Sequence, residues 1–267
     1  MGKDKKMDKI IFFDIDGTLH YPGIGVPGSA VNALEKLKNN GHKMVMCTGR
    51  SRGTIPDRYF KLGFDGMIIG AGTYVEYEGK VLHRQLMSEE EISKVVTFGR
   101  EENIGIILEG EEYGYYDPEN QEDYYQKMKK ETETNCEVIL HPLDEARNIP
   151  KWTYHHLDPA RKDQVEEMLN GRFKGIYHEP LDSIEFIPKD VNKAKGIEEI
   201  LEYTKIPRKN TYAFGDSAND IDMIKYVTYG IAMGNAVKEL QDIAPYHTAR
   251  ADEDGIEKGL KKFGLID

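Results

Sequence analysis

Three times along this chain a short, β-favouring, mostly apolar run stops at a polar cluster. Ile10-Ile11-Phe12-Phe13 ends in Asp14-Ile15-Asp16-Gly17-Thr18, Met44 to Cys47 ends in Thr48-Gly49-Arg50, and Thr211 to Phe214 ends in Gly215-Asp216-Ser217-Ala218-Asn219-Asp220. Such runs are too short for an amphipathic helix and read as parallel strands buried on both faces. In an open α/β sheet, ligands bind beyond the carboxyl ends of the strands. The three clusters therefore mark one rim of one sheet as the place where chemistry is expected.

Elsewhere the spacing of apolar residues changes. Ala30, Ala33, Leu34 and Leu37 recur at helical intervals after a loop holding Pro22, Gly23, Gly25 and Pro27, which predicts a helix. Another helix is expected around residues 54–62, then a short strand at Met67 to Ile69. The alternation breaks near residue 85. Ser88-Glu89-Glu90-Glu91 is a capping box. Ile104 to Glu109 and Glu112 to Tyr116 read as hairpin strands about Gly110, Gln121 to Glu133 as a helix, and Asp158-Pro159 as an N-cap followed by proline. Phe173 to His178 and Ser183 to Ile187 flank a short turn and predict antiparallel pairing. From Pro188 the first style returns, with a helix over Lys193 to Thr204, a strand at Tyr229 to Met233 and two further helices. The expected architecture is an α/β, doubly wound, parallel-sheet (Rossmann-like) core formed by 1–84 and 188–267, with an α+β cap domain inserted at 85–187.

The 267 residues carry a formal net charge of -11, a field that repels polyanions and argues against nucleic acid or anionic membrane as partners. It repels phosphorylated small molecules too, so any phosphate site needs a local cation. The two cysteines, Cys47 and Cys136, stand in no metal-ligand spacing. No run approaches the ~18 apolar residues of a spanning helix, and a cytoplasmic location is expected. Met7 reads as an alternative start.

The rim clusters bring together Asp14, Asp16, Asp216 and Asp220, which are expected to converge. Crowded carboxylates repel unless a cation intervenes, and a hard ion with oxygen ligands, Mg2+, suits them. That ion would also reverse the repulsive field. For phosphoryl transfer, the charge on the equatorial oxygens needs donors and cations. Thr48 offers a hydroxyl and a backbone N–H, Gly49 lets the backbone approach closely, and Lys193 offers a positive charge. A carboxylate nucleophile divides the reaction into two easier steps. A second acid two residues on would protonate the leaving group, and two residues along a strand share a face, which suits Asp14 and Asp16.

Asp14-Ile15-Asp16-Gly17-Thr18, the threonine of Cys47-Thr48-Gly49-Arg50, the lysine in Pro188-Lys189-Asp190-Val191-Asn192-Lys193, and Gly215-Asp216-Ser217-Ala218-Asn219-Asp220 together resemble the four motifs of the haloacid dehalogenase superfamily. The likeness is nearest to its Cof-type phosphatases with a large α+β cap. Ala232-Met233-Gly234-Asn235-Ala236 and Asp252-Glu253-Asp254-Gly255-Ile256 are similar to that group as well. The resemblance implies a magnesium-dependent phosphatase acting on small phosphorylated metabolites, sugar phosphates among them, through an aspartyl-phosphate. It implies Asp14 as nucleophile and Asp16 as general acid–base. Metal ligation falls to the Asp14 and Asp216 side chains and the Asp16 backbone carbonyl, phosphoryl binding to Thr48, Lys193 and Asn219, and support to Asp220. Lys195 precedes a glycine, as the family's lysine often does, but register against Pro188 and Val191 favours Lys193. Where the family usually has Asn-Gly-Ala, this chain has Ala71-Gly72-Thr73. A phosphomutase of the same superfamily and a regulatory protein with a vestigial site are the alternatives.

Other features carry blander readings. Cys47 reads as a buried small hydrophobe, His155 and His156 as strand residues without companion metal ligands, and Tyr113, Tyr115 and Tyr116 as tyrosines of a half-exposed sheet.

Overall fold

The first apolar run is β1 (Ile10–Phe13), and its four side chains are fully buried. The computed structural model describes residues 9–178 and 182–267, apart from the side chains of Asn135 and Cys136. Met7 and the Cys136 thiol thus lie outside the described residues. After β1 come α1 (Gly28–Asn39) and β2 (Lys43–Cys47). The helix expected over 54–62 is reduced to one turn at Arg52–Thr54 and the four-residue α2 (Asp57–Phe60). Pro56 explains the break: the residue before a proline is driven out of the helical region, and Ile55 is extended, with φ -104 and ψ 115.

β3 (Gly66–Ile69) is followed by β4 (Tyr74–Tyr77) and β5 (Lys80–Arg84), a hairpin the sequence reading left out. Its turn, Glu78-Gly79, takes positive φ at both residues (48 and 79), as a type I′ hairpin turn requires. β4 runs antiparallel to β3, so this edge of an otherwise parallel sheet is mixed.

The chain then forms α3 (Glu89–Glu101), β6 (Gly105–Glu109), β7 (Gly114–Tyr116), α4 (Asp123–Cys136), β8 (Leu140–Pro142), β9 (Lys151–His155), α5 (Lys162–Met168), β10 (Phe173–His178) and β11 (Ser183–Pro188). The Ser88 capping box is formed in full, with Ser88 Oγ accepting the Glu91 N–H and Glu91 Oε2 accepting the Ser88 N–H. The strands make a six-stranded sheet in the order β10-β11-β9-β6-β7-β8. Trp152 stacks on Phe186 at 4.9 Å in its core.

Last come α6 (Lys193–Thr204), β12 (Thr211–Gly215), α7 (Ile221–Tyr226), β13 (Tyr229–Ala232), α8 (Lys238–Ile243), the two-residue β14 (Tyr246–His247) and α9 (Gly255–Lys262). The eight-stranded sheet runs β14-β13-β12-β1-β2-β3-β4-β5. Successive strand residues point to opposite faces. Ile10, Phe12, Val45 and Ala213 pack with Ile197 and Ile200 of α6 and Met223 of α7. Ile11, Phe13, Met44 and Phe214 pack with Ala33, Leu34 and Leu37 of α1 and Leu260 of α9. Covering both faces is what demanded unbroken apolar strands.

By its internal contacts the chain divides into two units. One holds the chain up to Gly49 with Phe60–His83 and Asn192–Asp267, the other Arg50–Tyr59 with Arg84–Val191. Residues 50–59 join the second unit because the Gly53 N–H donates to the Gly110 carbonyl at 3.0 Å. A methyl group on Gly53 would strike the Tyr113 backbone at 2.3 Å. Among the described residues no helix is long and apolar enough to cross a membrane.

Candidate active site

Strand register assembles the rim. Phe13 pairs with both Phe214 and Met46, and Gly215 with Ala232. Asp14, Thr48 and Asp216 each stand at or just past the end of neighbouring parallel strands. The ladder carries one step further, since the Asp14 N–H donates to the Phe214 carbonyl at 3.1 Å.

Beyond Asp14 the chain leaves the sheet at once. The Thr18 and His20 N–H groups both donate to the Ile15 carbonyl, at 3.2 and 2.7 Å. Asp14 is buried, while Asp16, past the strand end, is exposed. All four carboxylates lie close enough to act on one another, since, beyond burial, Asp220, Asp216 and Asp16 each raise the Asp14 pKa. Asp14, Asp216 and Asp220 each offer an oxygen within 4.8 Å of the others, and Asp16 is outside this group.

Lys193 opens α6, whose N-cap Asn192 accepts the Lys195 N–H at 2.8 Å. Its side chain has no exposed surface, and Nζ donates to Asp14 Oδ1 and to Asp220 Oδ1, each at 2.6 Å. Lys195, two positions on, is exposed. Geometry thus separates the two candidate lysines and brings Lys193 to the carboxylates. Asp220 is occupied on its other oxygen, which accepts the Asp216 and Ser217 N–H groups at 2.9 and 3.0 Å. Asp216 Oδ1 accepts from Thr18 Oγ1 at 2.8 Å. Gly17, at φ 83, is pressed so closely on Asp216 that a methyl group there would sit 2.1 Å from Oδ2.

One ammonium faces three carboxylates. When all three are ionised, two negative charges go unbalanced in a place largely closed to water. Burial pushes the Asp14 carboxyl well above the usual range, Lys193 pulls it back, and Asp220 and Asp216 push it up further. Burial and Asp220 push Asp216 up to about 7. Burial alone would discharge Lys193, but Asp14 and Asp220 hold its pKa well up. The ammonium stays charged, and the unmet demand is for a second cation. A donor set of carboxylate oxygens from Asp14 and Asp216 fits a hard divalent ion, with Asp220 already engaged by Lys193 and two amides.

The remaining predicted residues divide. The Thr48 N–H, offered above to a phosphate, donates instead to the Ile68 carbonyl at 2.8 Å, which leaves the hydroxyl as that residue's contribution. Gly49 and Asn219 are close: a methyl group on Gly49 would lie 3.2 Å from Asn219 Nδ2. Asn219 is itself exposed, with Oδ1 accepting from Ser217 Oγ at 2.9 Å. Ala71, standing where an asparagine is usual, has φ 56 and ψ 26, and its N–H donates to the Thr48 carbonyl at 3.0 Å. That left-handed backbone is one asparagine tolerates better than alanine.

Outside the rim, Cys47 is buried, and burial raises its pKa far above that of a reactive thiol. His155 ends a plain strand, its pKa lowered by burial to about 4. Sequence reading gave no role to Asn235, whose Nδ2 donates to the Gly17 carbonyl at 2.8 Å. Its motif was visible, but the pairing across 218 positions was not.

A sequence family described as haloacid dehalogenase-like hydrolase matches residues 11–260. The YkrA protein of Bacillus subtilis (strain 168), whose name carries a provisional phosphatase assignment, is 30% identical over 270 residues, covering 97% of this chain and 98% of its own. Among solved structures, a hypothetical protein of Geobacillus kaustophilus HTA426 is similar with a TM-score of 0.84 and 28% identity, over 97% of this chain and 100% of that one. A HAD subclass IIB sugar phosphatase is similar with a TM-score of 0.79 and 27% identity over the same shares.

Proposed function

The chain belongs to the haloacid dehalogenase-like hydrolase family and is an enzyme of the phosphatase type, and from that premise we propose that it hydrolyses phosphomonoesters of small metabolites, sugar phosphates among them, by taking the phosphoryl group onto Asp14. The observation that carries this reading is the buried Lys193 ammonium bridging Asp14 and Asp220 beside Asp216.

In the proposed reaction an Asp14 oxygen attacks phosphorus, and the bond from phosphorus to the ester oxygen breaks. Asp16, exposed at the turn, gives its proton to the departing alkoxide. In the second step Asp16 takes a proton from water as the water oxygen attacks phosphorus. The bond to Asp14 breaks and inorganic phosphate leaves. Lys193 holds the Asp14 carboxylate in place and offers positive charge to the phosphoryl oxygens, while the Thr48 hydroxyl, the Gly49 backbone and the Asn219 amide contribute donors. Asp220 anchors Lys193 and the Asp216 backbone. Magnesium, for which the Asp14 and Asp216 side chains and the Asp16 carbonyl would be the ligands, would supply further charge stabilisation to the transferring group.

The test is phosphate release from a panel of phosphorylated metabolites, with magnesium and with a chelator, by the wild type and by Asp14→Asn. Release by wild type with magnesium and none by Asp14→Asn is expected. Undiminished turnover by Asp14→Asn removes the nucleophile assignment.

A further inference from the structure

The turn from Met233 to Val237 has no part in the reaction just described, yet it braces both loops that carry its acids. The Met233 N–H donates to the Gly215 carbonyl at 3.0 Å, and the Val237 N–H to the Asp216 carbonyl at 2.8 Å. Between them, Asn235 reaches across to the first strand's loop. Its Nδ2 donates to the Gly17 carbonyl at 2.8 Å, and its Oδ1 accepts the Ala251 N–H at 2.9 Å. A carbonyl on one side and an N–H on the other fix the amide's orientation, because the flipped amide satisfies neither.

Gly17 directly follows Asp16 and is the residue with most backbone freedom in that loop. Here the freedom is removed from three sides. Its N–H donates to the His20 carbonyl at 2.8 Å, its α-carbon abuts Asp216, and its carbonyl is held by Asn235. Asp16 directly precedes Gly17, so the Gly17 backbone sets the point from which the Asp16 side chain leaves the chain. We propose that Asn235 is a positioning residue, which fixes the Gly17 backbone and thereby aims Asp16 at the reacting oxygen. The inference rests on Asp16 being the acid–base of the proposed function.

The experiment is a double-mutant cycle with glycerol phosphate, a poor leaving group, and para-nitrophenyl phosphate, a good one. Asn235→Ala should lower kcat on glycerol phosphate by roughly ten- to a hundredfold, with a smaller loss on the aryl ester and little change in KM. In an Asp16→Asn background the same substitution should cost no more than about twofold, because residues acting as one unit are not additive. Asn235→Asp keeps the acceptor for Ala251 and loses the donor to Gly17. It should repeat the pattern with a melting temperature near wild type, which covers the case of a poorly folded alanine variant. Additive losses in the cycle, or wild-type turnover in both variants, overturn the proposal. Asp16→Asn by itself tests the other premise: equal loss on both esters removes the acid reading, while the cycle still decides whether Asn235 works through Asp16.

Discussion

Lys193 carries a charge with no surface in water, a state that costs several kcal/mol unless the charge is met at close range. Two carboxylates, Asp14 and Asp220, meet it. Replacing it by methionine should therefore lower turnover by about 10²–10³-fold and destabilise the protein by about 3–5 kcal/mol, read by phosphate release and urea unfolding. Wild-type turnover in Lys193→Met would remove it from the site. Ala71 offers a second residue-scale test. An L-residue other than glycine or asparagine in the left-handed region costs about 1–2 kcal/mol, so Ala71→Gly should stabilise by about 1 kcal/mol after glycine's own entropy cost. A loss of stability would mean that the Ala71 methyl group packs more usefully than its backbone strains. The sequence showed that alanine replaces the usual asparagine. It did not show why the exchange matters, because φ is not a property of composition.

At the scale of elements, what could be read was whatever periodicity writes down. Every strand of the rim and the four buried positions of α1 follow from apolar spacing, since both depend on which faces must leave water. The strand expected to carry Asp16 ends at Phe13, and the Ile15 carbonyl is taken by the Thr18 and His20 N–H groups. The β4–β5 hairpin was missed although Tyr74-Val75-Glu76-Tyr77 alternates and Glu78-Gly79 is a turn signal. Its strands border a region where charge and helix signals dominate the window. A further element-scale feature had no sequence sign at all. Lys151 of β9, 3% exposed, lies 2.7 Å from Glu109 of β6 and in contact with Glu185 of β11, cross-linking three strands. Burial works to raise the Glu185 pKa, but Lys151 and His178 outweigh it and bring it down to about 2. A depressed carboxyl stabilises the fold above its unfolded value of about 4.3, and that stabilisation is lost as pH falls toward 2. Lys151→Met should thus be much less stable than wild type at neutral pH, with the gap narrowing from about pH 5 downward. Trp152, the single tryptophan and a member of that unit's core, reports the unfolding. A gap that does not change with pH would show that the lysine acts by packing alone.

For the whole molecule the governing fact is a net charge of -11 with a carboxylate cluster gathered at the sheet rim. Without a metal, that cluster opposes folding. Asp216, raised to about 7, binds a proton in the folded state that the unfolded chain releases near pH 4, so stability should fall as pH rises from about 4 to 7. A divalent ion held by Asp14 and Asp216, the ligands proposed above, would bind the folded state alone and would reverse this. At a concentration a hundred times its dissociation constant it adds about 2.7 kcal/mol. Magnesium should therefore raise the melting temperature at pH 7.5 in the absence of any substrate. Asp216→Asn should be at least as stable as the metal-free wild type and should lose most of the magnesium response. General screening of a negative surface would also stabilise, but sodium chloride at matched ionic strength would reproduce it. If sodium raises the melting temperature as far as magnesium does, or if Asp216→Asn keeps the full magnesium shift, the rim carboxylates are not the place where the ion binds.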